Sequence, residues 1–281
     1  MSTTGAVPTA FFSRAGDVFT PLRPATSNWS PDMIHGASVC GLLARALEAA
    51  GGGENFIPTR LTVDMFRPAR TSPLTTSTTT VRDGNRIRVV DAEAIQNGET
   101  VARASAVFLH RSAPPPGEMW TREEHPVPPS VDLAPPSDHP TAPWFGSDGH
   151  PDGWSNSLAG HQGASRKRMW THQLGVVEGE APSPFARAAM IGDATSLLTN
   201  WGSCGVGYIN ADLTLTLCRV PEGPELGLEA DNHVSADGIS VGTATMYDRH
   251  GSLGTCVVTA LSNVQRQIDF TDEAHTPHAM R

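Results

Sequence analysis

Several common sequence features are scarce or missing in this chain of 281 residues, and each absence excludes a class of protein. The four cysteines, Cys40, Cys204, Cys218 and Cys256, are scattered and form no CxxC pair. Isolated cysteines argue against a disulfide framework or a zinc site, so we expect reduced thiols, no metal and a cytoplasmic location. No run of about 18 apolar residues occurs, and the N-terminus lacks the pattern of a signal peptide. We therefore expect no membrane span.

Nucleotide-binding motifs are also missing. No GxGxxG follows a predicted strand and no GxxxxGK[ST] occurs, so we expect no cofactor. The net charge of −9 disfavours a nucleic-acid partner, because such proteins usually present a basic face. One short basic run, Arg166-Lys167-Arg168, has two interpretations. It is either a solvated strand end or a contact for the phosphates of a small anionic ligand.

Proline, in contrast, is concentrated in one segment. Of the 23 prolines, 11 fall within residues 113–151, where apolar residues show little periodicity. This composition predicts a proline-rich linker. The linker divides the chain into an N-terminal half, residues 10–112, and a C-terminal half, residues 152–264, with a tail over residues 265–281.

The two halves resemble each other at a constant offset. The segment Leu61-Thr62-Val63-Asp64-Met65-Phe66-Arg67 aligns with Leu213-Thr214-Leu215-Thr216-Leu217-Cys218-Arg219, an offset of 213 − 61 = 152 residues. The same offset places Ile87-Arg88-Val89 on Ile239-Ser240-Val241. Two matched segments at one offset indicate an internal duplication.

Each half is predicted to contain one helix followed by several antiparallel strands. Apolar residues at helical spacing predict a helix from Val39 to Ala50, and Ser183 followed by Pro184 predicts a second helix that runs to about Asn200. Alternating or β-branched runs separated by turn residues predict the strands. In the N-terminal half these strands are 60–67, 75–81, 86–96 and 101–110, and in the C-terminal half they are 208–219, 225–231, 238–248 and 254–263.

The second predicted helix is apolar on nearly all sides, so it must be buried. A long helix wrapped by an antiparallel sheet is the hotdog arrangement. The duplication therefore predicts an α+β double hotdog, in which two tandem hotdog units are related by a pseudo-two-fold axis.

Asp193 is the ionisable residue that does not fit this buried helix. An unpaired carboxylate in apolar surroundings costs several kcal/mol or has a raised pKa. Asp193 is therefore either a structural group, paired with an arginine or capping a neighbouring strand, or a functional carboxylate. The offset of 152 residues places Gly41 opposite Asp193, so the sequence predicts one active site per chain.

A second candidate feature is the start of the first helix at His35-Gly36-Ala37. Free backbone amides and the positive end of the helix dipole suit the oxygen of a polarised thioester carbonyl. Gly36 would let a ligand approach the backbone closely. His35 is either part of this binding site or only a capping residue.

The whole-chain pattern resembles the thioesterase-like superfamily of actinobacterial type, and is similar to the double hotdogs of acyl-CoA thioesterase II. The resemblance covers both halves but not the linker. It is carried by Trp29, by His35-Gly36 followed by Leu42-Leu43-Ala44-Arg45-Ala46, by the segment from Arg60 to Pro68, and by Asp193.

The resemblance implies a set of catalytic residues. In that family a carboxylate on the second helix, a threonine on the first long strand of the second hotdog and a glutamine on its last strand hold the attacking water. Asp193 matches the carboxylate. The threonine position falls on Asn210 and the glutamine position on Thr259, so two of the three residues differ from the family pattern.

Three functional hypotheses follow. The leading one is an acyl-CoA thioesterase, in which Asp193 is the general base, Asn210 and Thr259 orient the water, and amides near Gly36 stabilise the oxyanion. The second is an enoyl-thioester hydratase or dehydratase that uses His35 with Asp193. The third is an acyl-thioester binding or sensing protein without turnover. The expected partner in each case is a small-molecule acyl-CoA, and the resemblance also allows a homodimer of double hotdogs.

Overall fold

The computed structural model describes residues 9–150 and 153–272. Within these residues there are three α-helices, α1 (Gly36–Gly51), α2 (Pro184–Gly192) and α3 (Thr195–Asn200), and three short 3₁₀ helices. No helix among the described residues is long and apolar enough to cross a membrane.

The strands fall in two groups that follow the two halves of the chain. The first group is β1 (Ala10–Ala15), β2 (Val18–Pro21), β3 (Phe56–Asp64), β4 (Thr75–Asp83), β5 (Ile87–Gln96) and β6 (Glu99–His110). The second group begins with β7 (Trp144–Ser147), β8 (Trp154–Ser155), β9 (Lys167–Thr171), β10 (Gly175–Val177), β11 (Trp201–Gly202) and β12 (Gly205–Val206). It ends with β13 (Tyr208–Asn210), β14 (Asp212–Leu217), β15 (Leu226–Ala236), β16 (Ile239–Asp248) and β17 (Gly251–Ser262).

Most of these strands form one sheet that is nearly symmetric about its centre. The order is β4-β5-β6-β3-β14-β17-β16-β15, continued by β9-β7-β8, with β13 also paired to β17. The central pair, β3 and β14, is antiparallel, with Thr62 opposite Thr214, Leu61 opposite Leu215 and Val63 opposite Leu213. The repeat offset of 152 relates these pairs to one another. Leu61 corresponds to Leu213 and Leu215 to Val63, so the pair Leu61–Leu215 corresponds to the pair Leu213–Val63. The pseudo-two-fold axis therefore passes between Thr62 and Thr214, and the predicted double hotdog is confirmed.

The helices pack on one face of this sheet and against each other. Leu42, Leu43 and Leu47 of α1 are fully buried, as are Phe185 and Ile191 of α2. The two helices approach closely where a Cβ atom at Gly41 would lie 2.5 Å from Cγ of Met190. The hotdog core therefore needs a residue without a side chain at this crossing.

The second helix is not continuous, contrary to the sequence prediction of a single helix from Pro184 to Asn200. The α-helical pattern ends at Gly192, and Asp193 is the C-cap. The amides of Ala194 and Ser196 bond to the carbonyls three residues earlier, on Ile191 and Asp193. This tighter turn breaks the helix next to Asp193, because i to i−3 bonds change the direction in which the following residues point. Periodicity alone does not reveal such a break, since apolar residues continue on both sides of it.

The proline-rich segment lies against the outside of the C-terminal half. Its last residues form β7, which pairs with β9 and extends the sheet. Arg249 holds the segment through hydrogen bonds from its guanidinium to the carbonyls of Pro129 and Ala134. Ala134 packs there with the buried rings of Trp170 and Tyr247.

Candidate active site

A β-bulge occurs at the same place in both halves and shapes the surroundings of the candidate site. On β3, Thr59 is the extra residue, because Pro58 pairs with Phe108 and Arg60 with Val107. In the C-terminal half the extra residue is Ala211, which separates β13 from β14. A bulge inserts one residue, bends the strand and redirects nearby side chains. The predicted single strand 208–219 is therefore two strands, joined at this bulge.

The bulge brings Asn210 to Asp193. Asn210 lies opposite Ala260, a buried residue, so its side chain is on the face of the sheet that carries the helices. Its Nδ2 donates a hydrogen bond of 2.9 Å to Oδ1 of Asp193. The structure thus brings together two of the residues that the sequence predicted for one site.

The carboxylate of Asp193 also contacts the start of α1. The Ala37 amide donates a hydrogen bond to it, and a Cβ atom at Gly36 would lie 2.5 Å from Oδ1 of Asp193. Gly36 and Ala37 therefore lie at the predicted site. The absence of a side chain at Gly36 is what allows the carboxylate to approach this helix end.

The electrostatics of Asp193 are set mainly by burial. Burial raises the pKa of Asp193, while the hydrogen bonds from Asn210 and Ala37 act in the opposite direction. No ion pair between Asp193 and an arginine or lysine occurs in the described part of the chain. The residue as a whole is half-buried, and its carboxyl group is enclosed by the surrounding atoms. Asp193 is therefore a buried carboxylate with a raised pKa and two neutral hydrogen-bond donors, and perturbed carboxylates of this kind are candidates for a functional site.

His35 caps α1. Its Nε2 lies 3.1 Å from the carbonyl of Pro24, and its Nδ1 accepts a hydrogen bond of 3.2 Å from the Ser38 amide. Burial lowers the pKa of His35 to about 4. The ring is therefore neutral, with its proton on Nε2 and both nitrogens bonded to the backbone. Neither nitrogen is free to act as a base, which removes the geometric support for the hydratase hypothesis.

Thr259 is bonded to a different carboxylate. Its amide donates a hydrogen bond of 2.8 Å to Oδ1 of Asp212, and its hydroxyl donates to Oδ2 of the same residue. Its ladder partner on β16 is Val241, which is exposed at 41%. The side chain of Thr259 therefore lies on the outer face of the sheet, and the structure does not bring it to Asp193.

Asp212 is a residue that the sequence analysis missed. A signal was available, because subtracting 152 places Arg60 at the equivalent position of the first half. The same comparison places Gly41 on Asp193, Pro58 on Asn210 and Val107 on Thr259. None of these four equivalents in the N-terminal half has the carboxylate, amide or hydroxyl group of its counterpart in the C-terminal half. The two bulges are alike, but only one carries this group.

The side chains of the basic run Arg166-Lys167-Arg168 all have partners within the protein. Arg166 and Arg168 both pair with Asp148, at 3.1 Å and 3.0 Å. Lys167 points inward, where its ammonium donates to the carbonyls of Gly163 and Ser165. The run is therefore not a solvated strand end, since Lys167 is buried, and its two arginines are already paired with a carboxylate of the protein. Among the described residues no group of three histidine, cysteine, aspartate or glutamate side chains is arranged to hold a metal ion.

A double hotdog with one carboxylate site at the junction of its halves defines the class of this protein. Two family models match the chain: residues 25–109 match the acyl-CoA thioesterase N-terminal domain, and residues 113–261 match the acyl-CoA thioesterase C-terminal domain. The chain belongs to the acyl-CoA thioesterase family, whose members are thioester hydrolases.

Solved structures show the same fold at low identity. A tesB protein of Mycobacterium avium subspecies paratuberculosis is 16% identical with a TM-score of 0.62, covering 90% of this chain and 96% of that chain. A hotdog-fold protein of unknown function from Alicyclobacillus acidocaldarius is 18% identical with a TM-score of 0.62, covering 91% and 96%. The acyl-CoA thioesterase II TesB2 of Mycobacterium marinum is 14% identical with a TM-score of 0.57, covering 89% and 93%. A search of curated proteins gave no match.

Proposed function

We propose that this protein hydrolyses an acyl-CoA to the free acid and CoA at the site formed by Asp193, Asn210 and the start of α1. The observation that carries the proposal is the position of Asp193. Its carboxylate is buried, unpaired with any cation in the described chain, and held by two neutral donors, the Asn210 amide and the Ala37 amide. Such a carboxylate can accept a proton more readily than a solvated one.

In the proposed reaction Asp193 removes a proton from a water molecule. The water oxygen bonds to the thioester carbonyl carbon, and the carbonyl oxygen becomes an oxyanion. When the carbon–sulfur bond breaks, the sulfur leaves with the electron pair and takes up the proton from Asp193. Asn210 holds the carboxylate of Asp193 in place throughout.

The oxyanion would be stabilised at the start of α1. The first amides of a helix have no partner within the helix. The Ala37 amide is used by Asp193 and the Ser38 amide by His35, whereas the Gly36 amide makes no hydrogen bond within the described residues. We assign Gly36 as the oxyanion donor, Ala37 as a donor to the base, and His35 as the cap that fixes both.

The test is thiol release from acyl-CoAs of graded chain length by wild type and by Asp193→Asn. Asp193→Asn should lower kcat by at least about 100-fold, because it removes the base but keeps the shape of the side chain. Asp64→Asn, whose carboxylate pairs with the exposed Arg103, is the control and should keep wild-type rates. Equal rates in wild type and Asp193→Asn would exclude Asp193 from the mechanism.

Two further measurements on the wild-type protein, acyl-CoA binding and the absorbance of an enoyl-CoA, distinguish the other two hypotheses. Binding of acyl-CoA without thiol release by the wild-type protein would support the binding or sensing function. Loss of enoyl absorbance without thiol release would support the hydratase, against the geometry of His35.

We further propose that the protein forms a homodimer through the outer face of the C-terminal sheet. Four neighbouring apolar side chains are exposed there: Val234, Ile239, Val241 and Leu261 are 60%, 60%, 41% and 52% exposed. Exposed apolar clusters of this kind favour association. A monomeric mass by light scattering at assay concentration would reject the dimer, and Val241→Lys should dissociate it if it forms.

A further inference from the structure

The C-terminal bulge carries a carboxylate that bonds to the adjacent strand, whereas its N-terminal counterpart carries only one hydroxyl bonded to the main chain. On β3 the extra residue Thr59 donates its hydroxyl only to the carbonyl of Val107. On the C-terminal side, the Asp212 carboxylate binds both the amide and the hydroxyl of Thr259 on the adjacent strand. The amide of Ala211 bonds to the carbonyl of the same threonine. The bulge is therefore bonded to both the amide and the carbonyl of Thr259, and also to its hydroxyl.

This bonding acts directly on the neighbouring residue Asn210. Nδ2 of Asn210 lies 3.4 Å from the carbonyl of Asp212 and 2.9 Å from Oδ1 of Asp193. The position of the Asp212 backbone therefore helps to determine where the Asn210 amide points. Bulges are used next to active sites to redirect a side chain in this way.

We propose that Asp212 is a positioning residue of the thioesterase site: through its bonds to Thr259 it fixes the bulge that directs Asn210 to the carboxylate of Asp193. Asp212 itself lies on the outer side of the ladder, opposite Asp64 on β3, and does not contact the reacting atoms. The proposal also gives Thr259 a role, since its hydroxyl is the donor that holds Asp212. The predicted effect of Asp212 on catalysis rests on the proposed function, whereas its predicted effect on the pKa of Asp193 does not.

The sharpest readout is the pKa of Asp193, measured by a carbon-13 NMR titration of the side-chain carboxyl, with Asp193→Asn to assign the signal. If Asp212→Asn releases Asn210, Asp193 loses a hydrogen bond to its charged form and its pKa rises. Removal of the negative charge at Asp212 would by itself lower that pKa. An upward shift therefore reports loss of the hydrogen bond and not a change in charge. Of the other titratable neighbours on α1, His35 and Cys40 stay neutral, because burial lowers the pKa of the first and raises that of the second.

The kinetic test is a double-mutant cycle on thiol release. Asp212→Asn and Thr259→Val should each lower kcat about 10- to 100-fold with KM within about twofold of wild type, because they misplace Asn210 and leave substrate binding intact. The double variant should be no slower than the slower single variant. Thr259→Ser, which keeps the hydroxyl, should retain near wild-type kcat. Asp64→Asn, the residue across the ladder, should change neither kcat nor the pKa.

The following results would overturn the positioning role of Asp212 or separate it from the proposed function. An unchanged or lowered pKa of Asp193 in Asp212→Asn overturns the proposal, as do independent, multiplicative effects of the two variants on kcat. If Asp212→Asn does not fold, the comparison of Thr259→Val with Thr259→Ser carries the same test on the same two readouts. If wild-type protein releases no thiol but the NMR shift occurs, the proposed function fails while the positioning role stands.

Discussion

The hydroxyl groups of Thr62 and Thr214 lie 3.2 Å apart, and the two residues are separated by the repeat offset of 152 positions. They face each other in the β3–β14 ladder. A residue and its own duplicate thus meet at the pseudo-two-fold axis. The β3–β14 ladder joins the halves into one sheet, so neither half has to cover its β3 or β14 edge separately.

Replacing this pair should show strong coupling. Thr62→Val or Thr214→Val alone should cost about 1 kcal/mol of unfolding free energy, because each leaves the partner hydroxyl without its bond. The double variant should cost no more than either single variant. Urea denaturation measures all three, with Thr79→Val on the exposed edge strand β4 as the control. Additive costs would show that the two hydroxyls do not depend on each other.

Gly36→Ala should reduce thiol release without unfolding the protein. The new methyl group would lie 2.5 Å from Oδ1 of Asp193, so the carboxylate must move from its position at the start of α1. We expect kcat to fall at least about tenfold, because small displacements of reacting groups are costly. Gly163→Ala is the matched control, since a Cβ atom there meets nothing within 4 Å. Full activity of Gly36→Ala would mean that the carboxylate can leave this position without consequence.

The two copies of one duplicated arginine should differ in their importance for stability. Arg219 forms two bonds of 2.7 Å to the buried Asp248, whereas its equivalent Arg67 pairs with the exposed Glu99. Arg219→Leu should destabilise the protein by about 3–5 kcal/mol, because it leaves a buried carboxylate without its cation. Arg67→Leu should cost less than about 1 kcal/mol. Comparable denaturation midpoints for the two variants would contradict this difference.

Mild acid should destabilise the fold through His161. This side chain is 1% exposed and lies between the hydroxyls of Ser147 and Ser155, at 3.0 Å and 2.9 Å. Burial, assisted by the nearby His150, lowers its pKa to about 4 from 6.5. The unfolded chain therefore binds a proton first. The contribution of His161 to stability is constant above about pH 6.5 and falls as the pH drops towards 4, by up to about 2 kcal/mol at pH 5.

Denaturation of wild type and His161→Gln at pH 7 and pH 5 tests this. Glutamine can still bond to a serine hydroxyl but does not titrate, so the variant should lose less stability between the two pH values than wild type. Some dependence should remain, since burial also lowers the pKa of His35 to about 4. An identical loss in both proteins would show that His161 does not take up a proton on unfolding.

Much of the fold could be predicted because it rests on local patterns and on the duplication. Apolar periodicity located α1, and alternation with turn residues located β3 to β6 and β15 to β17. The shared offset of 152 then placed the two halves around one axis. The break after Gly192 could not be predicted, because it depends on which carbonyl each amide bonds to and not on a change of residue type.

The candidate site divides in the same way. Asp193 could be selected from the sequence, since an unpaired carboxylate in an apolar helix costs free energy. Gly36 could be selected because it lies at the start of a predicted helix. The hydrogen-bond partner of Thr259 could be determined only from the tertiary structure. A bulge of one residue at Ala211 changes which face of the sheet the neighbouring side chains occupy, so Asn210 reaches Asp193 while Thr259 bonds to Asp212. The sequence determines which residues are available, but the strand register determines which of them meet, because a shift of one position moves a side chain to the opposite face.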